Sequence, residues 1–232
     1  AWLALGALTG VRATVWSRAD ALWTEATRRS PGSARAHWNL GSALDRRGDL
    51  QGALASFSRA EEVEAARGDP PDPLLQQNVA SVLRRSGRAA EARRVIERAL
   101  ARDGSNAGLH DDLAILLLEA GDPEPAAVHA REAIRLAPGH APFWETLAEV
   151  ARDRGDPRGQ VTALRRAAEL DPRFPERDAE LAELEARLGN APGACAAWDR
   201  VLRWSAAGPV RARAVQRRGA LRCGDADPGP AL

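Results

Sequence analysis

The stretch AGLHDDLAILLLEAGDPEPAAVHAREAIRLAPGH, Ala107–His140, decides the fold. Leu113, Ala114 and Leu117 form an apolar stripe at helical spacing, which predicts a first amphipathic helix. Gly121 ends it, because a left-handed C-terminal position favours a residue without Cβ. Asp122-Pro123 opens a second helix, with Asp at the N-cap and Pro at the first helical position. Ala126, Ala130, Ala133 and Ile134 give that helix its inner stripe, and Pro138 stops it. Two helices of this size cannot cover their own apolar faces, so the pair requires neighbours.

The neighbours recur along the chain. The turn glycine returns at Gly48, Gly87, Gly121, Gly155 and Gly189, at spacings of 39, 34, 34 and 34. Seven residues into each period stands Leu40, Val79, Leu113, Leu147 or Leu181, and the next residue is always small: Gly41, Ala80, Ala114, Ala148, Ala182. Small residues let paired helices approach, and Phe57, Ile96, Leu164 and Trp198 on the second helices fill the gaps between their ridges. The pattern resembles the tetratricopeptide repeat (TPR), whose period is about 34 residues, over roughly Ala34–Ser205. The resemblance implies an all-α solenoid, a right-handed superhelix of antiparallel helix pairs.

The expected organisation has five repeats at 34–66, 73–106, 107–140, 141–174 and 175–208. An insertion at 67–72, RGDPPD, accounts for the 39-residue spacing and predicts a surface bulge. Residues 1–33 form an N-terminal helix or partial repeat, 209–223 a polar capping helix, and 224–232 a flexible tail. Gln160 and Glu185 occupy slots that elsewhere hold small or apolar residues, which predicts looser packing in the last repeats.

Composition narrows the function. A net charge of +1 argues against a general grip on nucleic acid, which needs a basic surplus. All 33 basic residues are Arg, with neither Met nor Tyr present, as codon bias in a GC-rich genome would produce. The two cysteines are too few for a disulfide framework, and Cys195 reads as a small core residue. His37, His110, His129 and His140 form no metal-ligand spacing, and His37 and His110 share a packing position in their repeats. No nucleophile–base pair or phosphate loop is present. The expectation is a non-catalytic segment without cofactor or metal.

The N-terminus carries a second resemblance. AWLALGALTGV, Ala1–Val11, is uncharged but too short to span a bilayer, which takes about 20 apolar residues. It reads either as the end of a membrane span, with Trp2, Trp16 and Trp23 at the interface, or as a capping helix. The string RATVWSRADALWTEATRRSPGSARAHWNLGSAL, Arg12–Leu44, resembles the junction in polytopic membrane proteins with a C-terminal TPR tail, the TMTC-like proteins and their bacterial relatives. Arg12, Trp16, Leu22-Trp23, Pro31, Arg35-Ala36 and Asn39-Leu40-Gly41 carry it. Many members have a membrane-embedded glycosyltransferase-type core, with the tail outside the cytoplasm. The resemblance implies a membrane-associated protein whose soluble tail recruits or orients a partner or substrate. The rival is a free-standing cytoplasmic or periplasmic scaffold with no enzymatic parent.

In a TPR superhelix the first helix of each repeat lines a concave groove. The candidate groove residues here are Arg35, Trp38, Asn39, Asn78, Asp111, Asp112, Glu145, Glu149 and Glu180. The Lys, Asn and Arg clamp by which chaperone-tail-binding TPR domains hold a peptide carboxylate is absent, Asn78 alone matching it. Instead the early repeats offer Arg and Asn and the later ones Asp and Glu. That gradient predicts a protein or extended-peptide partner carrying a basic segment, with Trp38 as an aromatic anchor.

Overall fold

The computed structural model describes residues 19–224. Among them there are twelve α-helices and no strand. Helix α1 is Ala19–Arg29. Five helix pairs follow: α2 Ala34–Arg46 with α3 Leu50–Arg67, α4 Pro73–Arg85 with α5 Ala89–Arg102, α6 Ala107–Glu119 with α7 Pro123–Leu136, α8 Ala141–Asp153 with α9 Pro157–Leu170, and α10 Pro175–Arg187 with α11 Ala191–Trp204. Helix α12, Pro209–Leu221, closes the series. The possible span end and the flexible-tail reading of 225–232 lie outside the described residues. No helix among the described residues is long and apolar enough to cross a membrane.

The turn between partners is set by the recurring glycines. Gly48, Gly87, Gly121, Gly155 and Gly189 have φ between 67° and 82°, the region where a Cβ is penalised. Three of the five second helices then start on a side-chain cap: Asp49 accepts from Gly52 N at 2.9 Å, Asp156 from Gly159 N at 2.9 Å, and Asn190 from Gly193 N at 3.2 Å. Asp122 departs from its expected role. It holds the N-cap position of α7, but its side chain makes no capping bond. The insertion also behaves differently from a plain bulge. It is partly absorbed into α3, which runs 18 residues against 14 for the other second helices and ends on Gly68 at φ 77°.

The chain divides into two compact units, Ala1–Asp112 and Leu113–Leu232. In the first, α1 packs on α2, and α2 packs on α3. A Cβ on Gly41 would come within 2.5 Å of the Phe57 ring, so the small residue is what lets these helices close. Phe57, Leu75, Val82, Ile96 and Leu109 are fully enclosed. In the second unit Trp198 is the largest fully buried side chain, in a cluster with Leu164, Leu181, Leu184, Val201 and Ala214. Leu147 is only partly buried against that cluster, whereas Leu113 is 3% exposed. The seventh position is therefore not uniformly core.

Three expectations for the last repeats are corrected. Gln160 and Glu185 do not loosen the packing. Both are buried, and Gln160 Nε2 donates to Glu180 Oε1 at 2.8 Å while Glu185 pairs with Arg165 and accepts from Asn190 Nδ2 at 2.7 Å. The slots are filled by hydrogen-bonded polar groups. Cys195 is not a free core thiol: it forms a disulfide with Cys223, 28 residues on. That bond ties α11 to the residue pair beyond α12, whose only buried side chain is Ala214. Arg218 pairs with Asp199 at 2.6 Å and Arg217 with Glu183 at 3.0 Å, so polar and covalent links add to the packing of Ala214, Val210 and Leu221 in holding α12.

Candidate functional site

Three of the nine candidate residues open into one cleft. Arg35, Trp38 and Asn39 lie within one turn and a half of α2, so their side chains project from one side of the helix. They line a cleft of about 740 Å³ together with Glu64 and Arg67 at the end of α3 and the loop Asp69–Pro73. Arg35 is exposed and makes no ion pair among the described residues. Trp38 and Asn39 are half-buried.

The far wall exists because of the insertion. The extra turn of α3 brings Glu64 and Arg67 past the level at which the other second helices end. Glu64 Oε2 accepts from Asp72 N at 3.3 Å, and Arg67 donates to Gly32 O, so both ends of the wall are tied. Asp72 caps α4, accepting from Leu74 N at 2.8 Å. Pro70 and Pro71 complete the rim with rigid apolar surface. Sequence reading singled out this insertion as a bulge, but not as part of a site. The signal was present in its two prolines and in the 39-residue spacing.

The remaining residues of the first unit behave differently. Asn78 on α4 is half-buried and does not line the cleft. Asp111 is 9% exposed, so it is not a solvent-facing groove carboxylate. Burial pushes the Asp112 carboxyl up to about 6, opposed by a hydrogen bond from Gln77 and the charge of Arg84. A carboxyl withdrawn from solvent in this way is a poor attractor for a basic peptide.

In the second unit the acids are mostly engaged. Glu145 Oε1 accepts from Arg177 Nη1 at 2.6 Å, and Arg177 is itself 6% exposed, stacked 5.2 Å over the Phe174 ring. Glu180 accepts the bond from Gln160. Glu149 alone of the three is exposed with neither an ion pair nor a side-chain hydrogen bond among the described residues. The packing position of the histidines has a shared purpose. His37 Nε2 meets Pro31 O at 3.0 Å, His110 Nε2 meets Gly104 O at 3.1 Å, and Trp144 Nε1 donates to Pro138 O at 3.0 Å. Each ties a first helix to the loop six residues back. Among the described residues no group of three His, Cys, Asp or Glu is arranged to hold a metal.

Comparison with known proteins places the architecture. Among curated proteins none matches the chain. Its fold is similar to that of PilF of Pseudomonas aeruginosa, at 22% identity and a TM-score of 0.67, covering 81% of this chain and 82% of that one. A thermophilic TPR protein of Thermus thermophilus is similar at 23% identity and a TM-score of 0.60, over 79% and 98%. YrrB, described as a TPR protein with an unusual peptide-binding site, is similar at 18% identity and a TM-score of 0.57, over 84% and 97%. A tetratricopeptide repeat profile matches residues 11–73 and 80–141. With more than half its length in that match, the chain belongs to the tetratricopeptide repeat family.

Proposed function

We propose that the chain is a non-catalytic, protein-binding TPR module that takes an extended segment of a partner into the cleft of its first unit. The observation that carries this reading is the convergence of Arg35, Trp38 and Asn39 on one cleft of about 740 Å³. An aromatic face beside an unpaired guanidinium and an amide supplies apolar contact, a charge and backbone hydrogen bonding together. The peptide-binding site named for YrrB is in keeping with such a role. For a basic segment meeting the second unit, Glu149 is the clearest contact, since Glu145 and Glu180 are already engaged. Peptides selected from a random dodecapeptide library against the whole chain test this. Trp38→Ala and Arg35→Glu should each weaken them at least about tenfold with the circular dichroism unchanged. Selected peptides that bind both variants as well as the parent would remove the cleft from consideration.

A second reading concerns the setting. The junction-like string Arg12–Leu44 and the Cys195–Cys223 bond support a TPR tail outside the cytoplasm, attached to a membrane protein of glycosyltransferase type. Disulfides persist in oxidising compartments and are rare in the cytosol. A free-standing scaffold remains the competing arrangement. Protein alkylated at lysis from its native host should yield a disulfide-linked peptide pair containing Cys195 and Cys223, and should fractionate with membranes. Alkylated free thiols would count against the compartment, and a soluble fraction against the anchor.

A further inference from the structure

Helices α8 and α9 recur as α10 and α11 with the same lengths and boundaries, shifted by 34 residues. Each side chain of the earlier pair therefore has a counterpart in the later one. In the later pair Glu185 is 3% exposed. Its Oε1 accepts from Arg165 Nη2 and its Oε2 from Asn190 Nδ2 at 2.7 Å. Asn190 caps α11 with its other atom, Oδ1 accepting from Gly193 N. Gly193 keeps the space clear, since a Cβ there would stand 2.9 Å from Glu185 Cδ. The carboxylate sits between two donors.

One period earlier the counterparts of Arg165, Glu185, Asn190 and Gly193 are Arg131, Ala151, Asp156 and Gly159. Ala151 stops at Cβ, and a groove of about 220 Å³ opens there, walled by Trp144 and Leu147. Arg131 and Asp156 both line it, and Arg131 has no ion pair among the described residues. Asp156 caps α9 through Oδ1. Its second oxygen takes the side-chain position at which Asn190 carries an N–H, so it accepts where Asn190 donates. Arg154 and Thr162 also line the groove, but Arg154 is paired with Glu124 at 3.2 Å and Thr162 Oγ1 donates to Arg158 O. Arg131 and Asp156 thus remain as one donor and one acceptor of cancelling charge, over an apolar floor of Val150 and Ala163.

We propose that this groove docks a carboxamide side chain, a glutamine or asparagine projected by a protein partner. The amide oxygen accepts from Arg131, the amide nitrogen donates to Asp156, and the aliphatic stem lies against Trp144 and Leu147. A carboxylate satisfies Arg131 but faces the Asp156 oxygen. An alkyl chain displaces water from both polar groups and pairs with neither, which costs binding. The site lies wholly in the second unit and does not depend on the cleft of the first.

The test titrates the ¹⁵N-labelled full chain with capped Ala-Gln-Leu, Ala-Glu-Leu and Ala-Leu-Leu, reading the Trp144 indole N–H resonance identified by Trp144→Phe. The glutamine peptide should bind at least about tenfold tighter than the other two, the discrimination expected for one unmatched hydrogen bond. Asp156→Asn keeps the helix cap, as Asn190 shows, and should switch the preference to the glutamate peptide. Ala151→Gln should fill the groove from within, raise the unfolding midpoint and abolish the titration. Should that variant fail to fold, Arg131→Ala, at an exposed position, must erase the preference for glutamine. Equal response to all three peptides, or a glutamine preference that survives Asp156→Asn, overturns the proposal.

Discussion

Asp178 on α10 is wholly excluded from solvent, and its Oδ1 accepts from Arg200 Nε on α11 at 3.0 Å. Burial raises the carboxyl above its usual range, and Arg200 draws it back. Oδ2 has no hydrogen-bond partner among the described residues. The pair is asymmetric: Arg200 keeps 28% of its side-chain surface in water, so it rehydrates easily when its partner is lost. Arg200→Ala should therefore cost about 3–5 kcal/mol, because it strands a buried charge, while Asp178→Asn should cost under about 1.5 kcal/mol. Urea melts of the two variants decide this, and equal costs would mean that the charge is not what matters.

Asp112 should make stability depend on pH in the sense opposite to most carboxylates. Its folded-state carboxyl titrates near 6, above the ordinary 3.8. The folded chain therefore holds this proton more tightly than the unfolded chain, and the contribution present below pH 4 is lost as pH rises through 6. Asp112→Asn should stabilise by on the order of 1–3 kcal/mol at pH 7, and the gain should vanish near pH 4. Parallel melts at the two pH values measure the difference.

The two seventh-position leucines should separate. Leu113→Ala removes a fully packed side chain and should cost about 2–5 kcal/mol, whereas Leu147→Ala should cost less than about 2 kcal/mol because Leu147 is already partly hydrated. A denaturant series ranking Leu147 at or above Leu113 would contradict the packing described.

Cys223→Ser should loosen α12 before anything else. Closing a loop of 28 residues is worth about 3–4 kcal/mol in the chain-entropy account, and α12 buries only Ala214 besides. Hydrogen exchange should rise across Pro209–Leu221 first, with α8 to α11 still protected. Uniform acceleration through the whole second unit would show that α12 is integral to the core.

The fold was legible because packing leaves a periodic trace. Gly48, Gly87, Gly121, Gly155 and Gly189 each need a conformation that few residues share, and Gly41 needs to meet Phe57. Those constraints are local and recur every period. The site was legible only in part, because it depends on what lies opposite. Trp38 was visible as an aromatic out of place, but its cleft depends on an α3 that runs one turn further. Glu185 looked like a misplaced charge until Arg165 and Asn190 were seen beside it. Cys195 looked apolar because its partner stands a whole helix away. Departures from a repeat pattern report a position under constraint without saying what satisfies it.

The sulfur bridge also fixes how force travels. A pull on the chain at Cys223 enters the fold at Cys195, on the helix that carries Trp198, and bypasses α12 altogether. Helix α12 is then slack in a closed covalent ring, and tension is resisted by the buried aromatic anchor of α11. With the bridge reduced, the same pull would peel α12 away one polar contact at a time. Resistance to a pull from the C-terminal side is set by two sulfur atoms.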